Sequence, residues 1–193
     1  MIALESPMRL ATEGDASELA DLVNFAGEGL PLHIWTGLAG EGQDPWEIGR
    51  ARQAEKAREG QTIVLDSADG VVASLTGYAI SAEPVPIGAD FPSLFRPLQE
   101  LENRALDSWY VNVLACYPEH RGQGIGSRFL GVAEDVCGSE GLRQMSVIVA
   151  GNNIGARRLY KRHGYEETDN LPCVKDDWAT DIDSWVLLMK QLR

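Results

Sequence analysis

The chain has 193 residues, of which 44% are hydrophobic and 24% are charged, a composition typical of a soluble globular protein. This length favours one domain over residues 1–193, with enough chain for a sizeable core. The net charge of −12 argues against nucleic acid as a partner, because phosphate backbones bind basic surfaces. No run approaches the ~18 apolar residues of a membrane span, and the first ten residues do not resemble a signal peptide, so no membrane partner is expected.

Three cysteines and three histidines are scattered along the chain, without a C-x-x-C pair or the spacing of a metal site. We interpret Cys116, Cys137 and Cys173 as reduced, buried thiols, which predicts a cytoplasmic location. No metal is expected.

The first 80 residues predict a strand, three helices and a hairpin, from hydrophobic periodicity and from turn residues. In chain order these are a strand at Met8–Thr12, helices at Asp15–Ala26, Leu32–Leu38 and Trp46–Arg58, and hairpin strands at Thr62–Leu65 and Val71–Ile80 around Asp69-Gly70. Core packing is favoured for Trp35 and Trp46, since tryptophans are rarely left exposed, and contact with a substrate is the alternative.

The rest of the chain alternates between helices and strands after a proline-rich loop at Glu83–Pro92. The expected elements are a helix at Leu94–Arg104, a strand at Tyr110–Cys116, a helix at Ser127–Val136, a strand at Met145–Val149, a helix from Asn152 or Asn153 to Gly164, and closing strands at Tyr165–Val174 and Ser184–Met189 with an acidic loop at Lys175–Asp183 between them. The predicted order is β–α–α–α–β–β–α–β–α–β–α–β–β.

The turn after the strand Tyr110–Cys116 contains Gly122, Gly124 and Gly126. A strand, a glycine turn and a helix start place several backbone N–H groups around one concavity, and the helix dipole adds partial positive charge there. Bulkier side chains would keep a phosphate oxygen away from these groups. The pattern therefore predicts a pyrophosphate site, and a glycine turn that only caps a helix is the alternative. The spacing matches neither the G-x-G-x-x-G fingerprint nor the P-loop.

A second motif follows about thirty residues later, at the end of a helix. It reads Asn153-x-x-Ala156-x-x-Leu159-Tyr160-x-x-x-Gly164-Tyr165. An asparagine suits the N-cap of this helix, and a glycine suits the left-handed residue that ends it.

Together, Arg121-x-x-Gly124-x-Gly126 and this second motif resemble the two hallmarks of the GNAT superfamily, the CoA-dependent N-acetyltransferases. The resemblance covers Met8 to the end of the chain and is specific over residues 108–165. It implies an α/β fold with a mixed central sheet of six to seven strands and helices on both faces. It also implies acetyl-CoA as cofactor and a primary amine of a small molecule or protein as acceptor.

The resemblance further implies which residues hold acetyl-CoA. The end of the central strand would pair with the pantetheine arm and polarise the thioester, the glycine turn would hold the pyrophosphate, and Asn153 would bond the cofactor arm. The residues assigned in this way are Leu114, Ala115, Cys116, Arg121, Gly122, Gln123, Gly124, Ile125, Gly126, Ser127, Asn153 and Tyr160.

Tyr160 matches the general acid of the superfamily, since a phenol stays protonated at neutral pH and can donate to a departing thiolate. A core aromatic residue is the alternative. Many members carry Glu where this chain has Asn112, and an amide cannot accept a proton there. A water-mediated carboxylate such as Glu102 or Asp107, an acceptor amine of low pKa, or a positioning role for Asn112 would each resolve this. Candidate substrate contacts are Trp35, Glu102, Trp109 and Asn112.

Residues 119–163, which hold both motifs, have 7 basic and 4 acidic side chains and are the only net-positive segment. This charge suits a polyanionic cofactor, and the resemblance implies an N-acetyltransferase that works by direct attack of the amine. A CoA-binding domain without catalysis is the main alternative, and an RNA-modifying acetyltransferase and a dinucleotide oxidoreductase are less favoured.

The oligomeric state is open, and pairing of the closing strands in a homodimer is the assembly suggested by fold-level analogy.

Overall fold

The computed structural model describes residues 4–68 and 70–192, so Asp69 of the predicted hairpin turn lies outside the described residues. The elements follow the predicted order. They are β1 (Met8–Leu10), α1 (Ala16–Ala26), α2 (Leu30–Leu38), α3 (Pro45–Arg58), β2 (Thr62–Ser67), β3 (Gly70–Ala79), α4 (Arg96–Glu102), β4 (Trp109–Cys116), α5 (Ile125–Ser139), β5 (Gln144–Ala150), α6 (Ile154–Arg162), β6 (Glu166–Pro172) and β7 (Ser184–Gln191).

Several helix boundaries differ from the prediction by a few residues, and those of α4 and α5 bear on the candidate site. Helix α4 is shorter than expected, because a 3-10 turn at Ser93–Phe95 precedes it and Pro97 stands in its first turn, where a missing N–H costs nothing. Helix α5 begins at Ile125 rather than at Ser127, so Gly126 is helical and belongs to the first turn.

The sheet has seven strands in the order β1-β2-β3-β4-β5-β7-β6, which confirms the expected mixed α/β fold. Strands β4 and β5 are parallel, with Trp109 opposite Met145 and Val111 opposite Val147. The pairs β1–β2, β2–β3, β5–β7 and β7–β6 are antiparallel.

The chain divides into two compact units. The N-terminal unit comprises residues 4–77 and 113–129, and the C-terminal unit comprises residues 78–112 and 130–192. Strands β3 and β4 and helix α5 each contribute residues to both.

In the N-terminal unit, apolar side chains of α1, α3 and the strands bury one another. Helix α3 packs against both α1 and α2. The buried cluster consists of Ala11, Leu19, Leu22, Ala57, Val64, Val71, Val113 and Ala115.

In the C-terminal unit, β5, β7 and β6 form an antiparallel ladder, and α4 packs against all three strands. The predicted acidic loop before β7 is also part of this packing, since Trp178 and Ile182 are buried and the Trp178 ring stacks on Trp185. Two apolar side chains therefore anchor a segment that the sequence predicted only as an acidic loop.

Strand β6 lies at the edge of the sheet. It begins with the exposed residues Glu166 and Glu167 and ends at Pro172, and charges and proline both discourage pairing with another edge. Among the described residues, no helix is long and apolar enough to cross a membrane.

Candidate active site

Strand β4 presents two different faces because successive side chains of a strand alternate. Trp109, Val111, Val113 and Ala115 are all buried on one face. On the other face Tyr110 is buried, Asn112 is exposed, and Leu114 and Cys116 are half-buried. The open face of β4 thus carries Asn112 and two of the residues assigned to the cofactor.

The glycine turn that follows β4 has a backbone conformation that favours glycine. Gly122 has φ +77 and Gly124 has φ +79, a region that L-residues rarely adopt. The turn is exposed to solvent, and a Cβ added at either glycine would meet nothing within 4 Å. The backbone of the turn is therefore bare on its outer side.

Helix α5 starts directly after this turn, with Ile125 buried as its anchor. Within the helix the N–H of Arg128 donates to the Gly124 carbonyl at 3.1 Å, so the N–H groups of Ile125 and Gly126 lie in the first turn, before the regular helical hydrogen bonds begin. The dipole of this 15-residue helix favours an anion at that end. The bare turn and the helix start fit a phosphate group.

Arg121 lies at the edge of the turn, and its Nε donates to the Cys116 carbonyl at 3.2 Å. This hydrogen bond ties the turn to the end of β4. Burial raises the pKa of the Cys116 thiol, although the Arg121 charge opposes the shift, so the thiol stays protonated.

The second motif, in the C-terminal unit, caps α6 at both ends. The Oδ1 of Asn153 accepts from the Ala156 N–H at 3.0 Å, which identifies Asn153 rather than Asn152 as the cap. Gly164 ends the helix with φ +83. Both capping residues are therefore in the predicted roles.

Tyr160 lies on the buried face of α6 and is 4% exposed. Its ring packs edge to face against Tyr165, with centroids 5.3 Å apart. Burial raises the pKa of Tyr160 well above its usual value, because the charged phenolate would lose its solvation. Tyr160 is therefore a neutral hydrogen-bond donor at physiological pH.

A second group of polar side chains in the C-terminal unit comes from β3, α4 and β4. The Oη of Tyr78 donates to Oε2 of Glu102 over a long distance of 3.5 Å. The rings of Tyr78 and Tyr110 pack edge to face at 5.4 Å, and Asn112 lies two residues after Tyr110 on the same face of β4. We call these four residues the Glu102 cluster: Tyr78, Glu102, Tyr110 and Asn112.

Burial controls the ionisation of this cluster. It raises the pKa of Glu102, and the hydrogen bond from Tyr78 opposes that shift only in part. It also raises the pKa of Tyr110, and the charges of Glu102, Tyr78 and Tyr160 add to the effect. Tyr160 is thus close enough to Tyr110 for their charges to interact.

Sequence patterns did not single out Tyr78. The alternation along β3 puts Tyr78 on the same face as Ser74 and Thr76. Nothing in the local sequence indicates that the Tyr78 side chain meets Glu102. Glu102 was a candidate, and it is half-buried rather than solvated.

Three other residues that the sequence suggested for the acceptor side of the site are not part of the Glu102 cluster. Trp35, in the N-terminal unit, is 3% exposed and packs edge to face against Trp46 at 5.6 Å. Trp109 is buried on the face of β4 opposite to Asn112. Asp107 is exposed in the turn before β4, with φ +55.

Within residues 4–68 and 70–192, no group of His, Cys, Asp and Glu side chains could hold a metal ion. A surface cleft of about 380 Å³ opens near the C-terminal end of α5, and none of the predicted site residues lines it.

The sequence model of the acetyltransferase (GNAT) family matches residues 33–165, which is more than half of the chain. The chain belongs to this family. The matched residues include the glycine turn, the Glu102 cluster and the whole of α6.

Two uncharacterised N-acetyltransferases of Bacillus subtilis (strain 168) are similar over a shorter stretch. YhfO is 36% identical over 59 residues, and YycN is 36% identical over 60 residues. Each aligned stretch spans 31% of this chain, and 40% and 38% of the two relatives respectively.

Solved structures share the fold at low sequence identity. A mosquito arylalkylamine N-acetyltransferase like 5b has a TM-score of 0.67 at 15% identity, covering 96% of this chain and 99% of that one. A ribosomal-protein-alanine N-acetyltransferase from Brucella melitensis has a TM-score of 0.62 at 20% identity, covering 96% and 99%. A GNAT family acetyltransferase from Elizabethkingia anophelis with acetyl-CoA bound has a TM-score of 0.50 at 14% identity, covering 68% and 75%. These likenesses establish the GNAT fold.

Proposed function

We propose that this protein is an acetyl-CoA-dependent N-acetyltransferase that transfers an acetyl group to a primary amine of a small molecule or protein. The strongest support is that the family match spans residues 33–165 and so contains both the glycine turn and Tyr160. Three unpaired cysteines agree with a reducing compartment such as the cytoplasm.

The cofactor would be held largely by backbone. In the N-terminal unit, Gly122, Gln123 and Gly124 would face the pyrophosphate, because their turn is exposed and its glycines are bare. Ile125, Gly126 and Ser127 would add the N–H groups of the first helical turn. Acetyl-CoA would supply the activated acetyl group as a thioester.

Two further segments would contact the rest of the cofactor. The backbone of Leu114, Ala115 and Cys116 would pair with the pantetheine arm and polarise the thioester carbonyl. Asn153 would bond the arm from the start of α6, where its Oδ1 also accepts from the Ala156 N–H.

Tyr160 would donate its Oη proton to the departing sulfur. Its raised pKa keeps the hydroxyl protonated at neutral pH, which is the form that a proton donor needs. Positioned proton transfer of this kind contributes about 10²–10⁴-fold in rate.

Direct attack by the amine is consistent with the protonated thiol of Cys116 at the end of β4. A covalent acetyl-enzyme would need a thiolate, and burial keeps Cys116 protonated. We therefore propose that the amine attacks while both substrates are bound.

The acceptor is the less defined part of this function. Structural neighbours include an arylalkylamine N-acetyltransferase and a ribosomal-protein-alanine N-acetyltransferase, so the shared fold serves different acceptors. The net charge of −12 is compatible with a cationic amine.

A CoA-binding regulatory protein without catalysis is the second candidate. The observation in its favour is Asn112, an amide where many members carry the general base.

Calorimetric titration with acetyl-CoA tests the function first, followed by an amine panel monitored by release of free thiol. We expect micromolar binding and thiol release with at least one amine. Binding without release over a broad panel would favour the regulatory candidate, whereas absence of binding would reject both.

A further inference from the structure

The carboxylate of Glu102 is half-buried in the C-terminal unit and has no cationic partner among the described residues. Removing a carboxylate from water without an opposite charge is costly, and such a group is usually neutralised, paired or used. Its recorded hydrogen bond is the long one from Tyr78, at 3.5 Å. Glu102 therefore retains acceptor capacity in a partly dry environment.

The cationic side chains of α4 and β7, and those that pair with β6, have partners of their own. On β6, which packs against α4, Asp169 pairs with Arg104. Glu167 pairs with Arg157 and Lys161, and Lys190 of β7 pairs with Glu134. On α4 itself, Arg96 donates to the Gly88 carbonyl. Strand β5 carries no ionisable side chain.

The titratable groups that act on Glu102 are therefore tyrosines. Tyr78 of β3 bonds it, and Tyr110 of β4 is within range of its charge. Both phenols are neutral at physiological pH, because burial raises the pKa of each. Aromatic rings and one carboxylate are the groups that proteins use to bind an ammonium ion.

Asn112 connects this cluster to the reaction. It occupies the strand position at which many family members have the base, and it follows Tyr110 on the same face of β4. Tyr110 in turn is close enough to interact electrostatically with Tyr160. Glu102 and the proposed proton donor Tyr160 thus both lie within electrostatic range of Tyr110.

We propose that Glu102, held by Tyr78, is the proton acceptor for the incoming amine, and that the amine is bound as a primary ammonium ion. This rests on the acetyl transfer proposed above. It places the base on α4, in place of the glutamate that β4 lacks.

Proton transfers balance in this arrangement. Two protons leave the ammonium nitrogen before it becomes an amide. One passes to the Glu102 carboxylate before attack, directly or through one water, and is later released to solvent. The N–C bond forms as the C–S bond of the thioester breaks. Tyr160 protonates the departing sulfur, and the second proton from nitrogen restores the Tyr160 hydroxyl.

The test compares the wild-type protein with Glu102→Gln, using Glu100→Gln on the same helix as the matched control. Each protein is titrated with acetyl-CoA by calorimetry and assayed with cadaverine, tyramine and Nα-acetyl-lysine as a function of pH. Proteins labelled with ¹³C at the glutamate carboxyls are also titrated by NMR without any substrate.

We expect one wild-type carboxyl resonance to titrate above the usual glutamate range and to be missing in Glu102→Gln. Glu102→Gln should bind acetyl-CoA normally, lose about 100-fold or more in kcat/KM, and lose the acidic limb of the pH profile. Glu100→Gln should keep both the resonance and the profile. The wild-type profile should also fall at high pH, where the amine loses its charge.

Tyr78→Phe provides a second variant that tests the mechanism and not only the fold. Its hydroxyl lowers the pKa of Glu102, so removing it should move both the resonance and the acidic limb to higher pH. A purely structural role for Glu102 would not produce this coupled shift.

An unchanged acidic limb in Glu102→Gln, with normal acetyl-CoA binding, would overturn the assignment of Glu102 and leave the acetyltransferase function intact. Failure of the wild-type protein to bind acetyl-CoA would instead reject that function, and the role of Glu102 with it.

Discussion

The rings of Tyr160 and Tyr165 pack edge to face at an angle of 66°, with centroids 5.3 Å apart. They have different hydroxyl environments, since the Tyr165 Oη contacts the Met145 sulfur at 3.5 Å. Removing the hydroxyl from each tyrosine in turn therefore distinguishes a role of Tyr160 in proton donation from a role in packing against Tyr165.

Tyr160→Phe should lower turnover by about 10²-fold or more and leave acetyl-CoA binding nearly unchanged, because only the proton donor is lost. Tyr165→Phe removes a hydroxyl from the adjoining ring and should keep most of the activity. Steady-state kinetics and calorimetry measure both. Equal losses in the two variants, or loss of acetyl-CoA binding in Tyr160→Phe, would indicate that Tyr160 is structural.

Gly124→Val should abolish acetyl-CoA binding without unfolding the protein. A side chain at φ +79 costs about 1–2 kcal/mol, and the added atoms would occupy the space that the phosphate needs. Gly141→Val is the matched control, since Gly141 has φ +77 and equally open surroundings beyond the end of α5. Both should melt at similarly lowered temperatures, and only Gly141→Val should bind. Normal binding by folded Gly124→Val would contradict the phosphate assignment.

Gly49→Ala should destabilise the protein by about 1–3 kcal/mol, although alanine is the better helix former. A Cβ at Gly49 would come within 2.5 Å of the Trp35 ring, which is buried against Trp46. Gly37→Ala, on α2, meets nothing within 4 Å and should be neutral or slightly stabilising. Urea denaturation measures the difference, and equal stabilities would show that the Trp35 ring can move aside.

Asp15→Asn should cost about 1–2 kcal/mol near neutral pH. Arg9 donates to both oxygens of Asp15 at 2.8 Å, and this pairing lowers the Asp15 pKa to about 2. Because the Asp15 pKa is lower in the folded state, the ionised carboxylate stabilises the protein at pH values above the unfolded-state pKa. This stabilisation is lost as the pH falls towards about 2. The 39% exposure of the Arg9 side chain reduces the effect through solvent screening.

The pH dependence of the free energy of unfolding tests whether the Arg9–Asp15 ion pair is the source of this effect. Denaturation of wild type and Asp15→Asn at about pH 7 and about pH 3 should show the difference shrinking with acid. Asp66→Asn also removes a partner of Arg9, but the Asp66 side chain is 39% exposed, so its effect should be smaller. A difference that stayed constant with pH would exclude the ionised carboxylate as its source.

The Glu102 cluster shows why part of the candidate site escaped the sequence. Its members come from β3, α4 and β4, and no local pattern relates Tyr78 to Glu102 across 24 residues. Whether a carboxylate at the end of a helix is solvated or half-buried depends on the strands beside it. A single sequence therefore gave Glu102 only as one carboxylate among alternatives. Trp109 is a related case, because the orientation of β4 buries it opposite to Asn112.

The sequence by itself determined the order of helices and strands, the glycine turn after β4, the left-handed Gly164, and an asparagine cap of α6 at residue 152 or 153. These features depend on periodicity, backbone conformation and hydrogen bonds between near neighbours, which are local properties. Tertiary structure alone decided that Trp178 anchors an acidic loop, that Trp35 packs over Gly49, and that Glu102 meets Tyr78. The reason is physical, since burial and its effect on charge arise only when distant segments exclude water together.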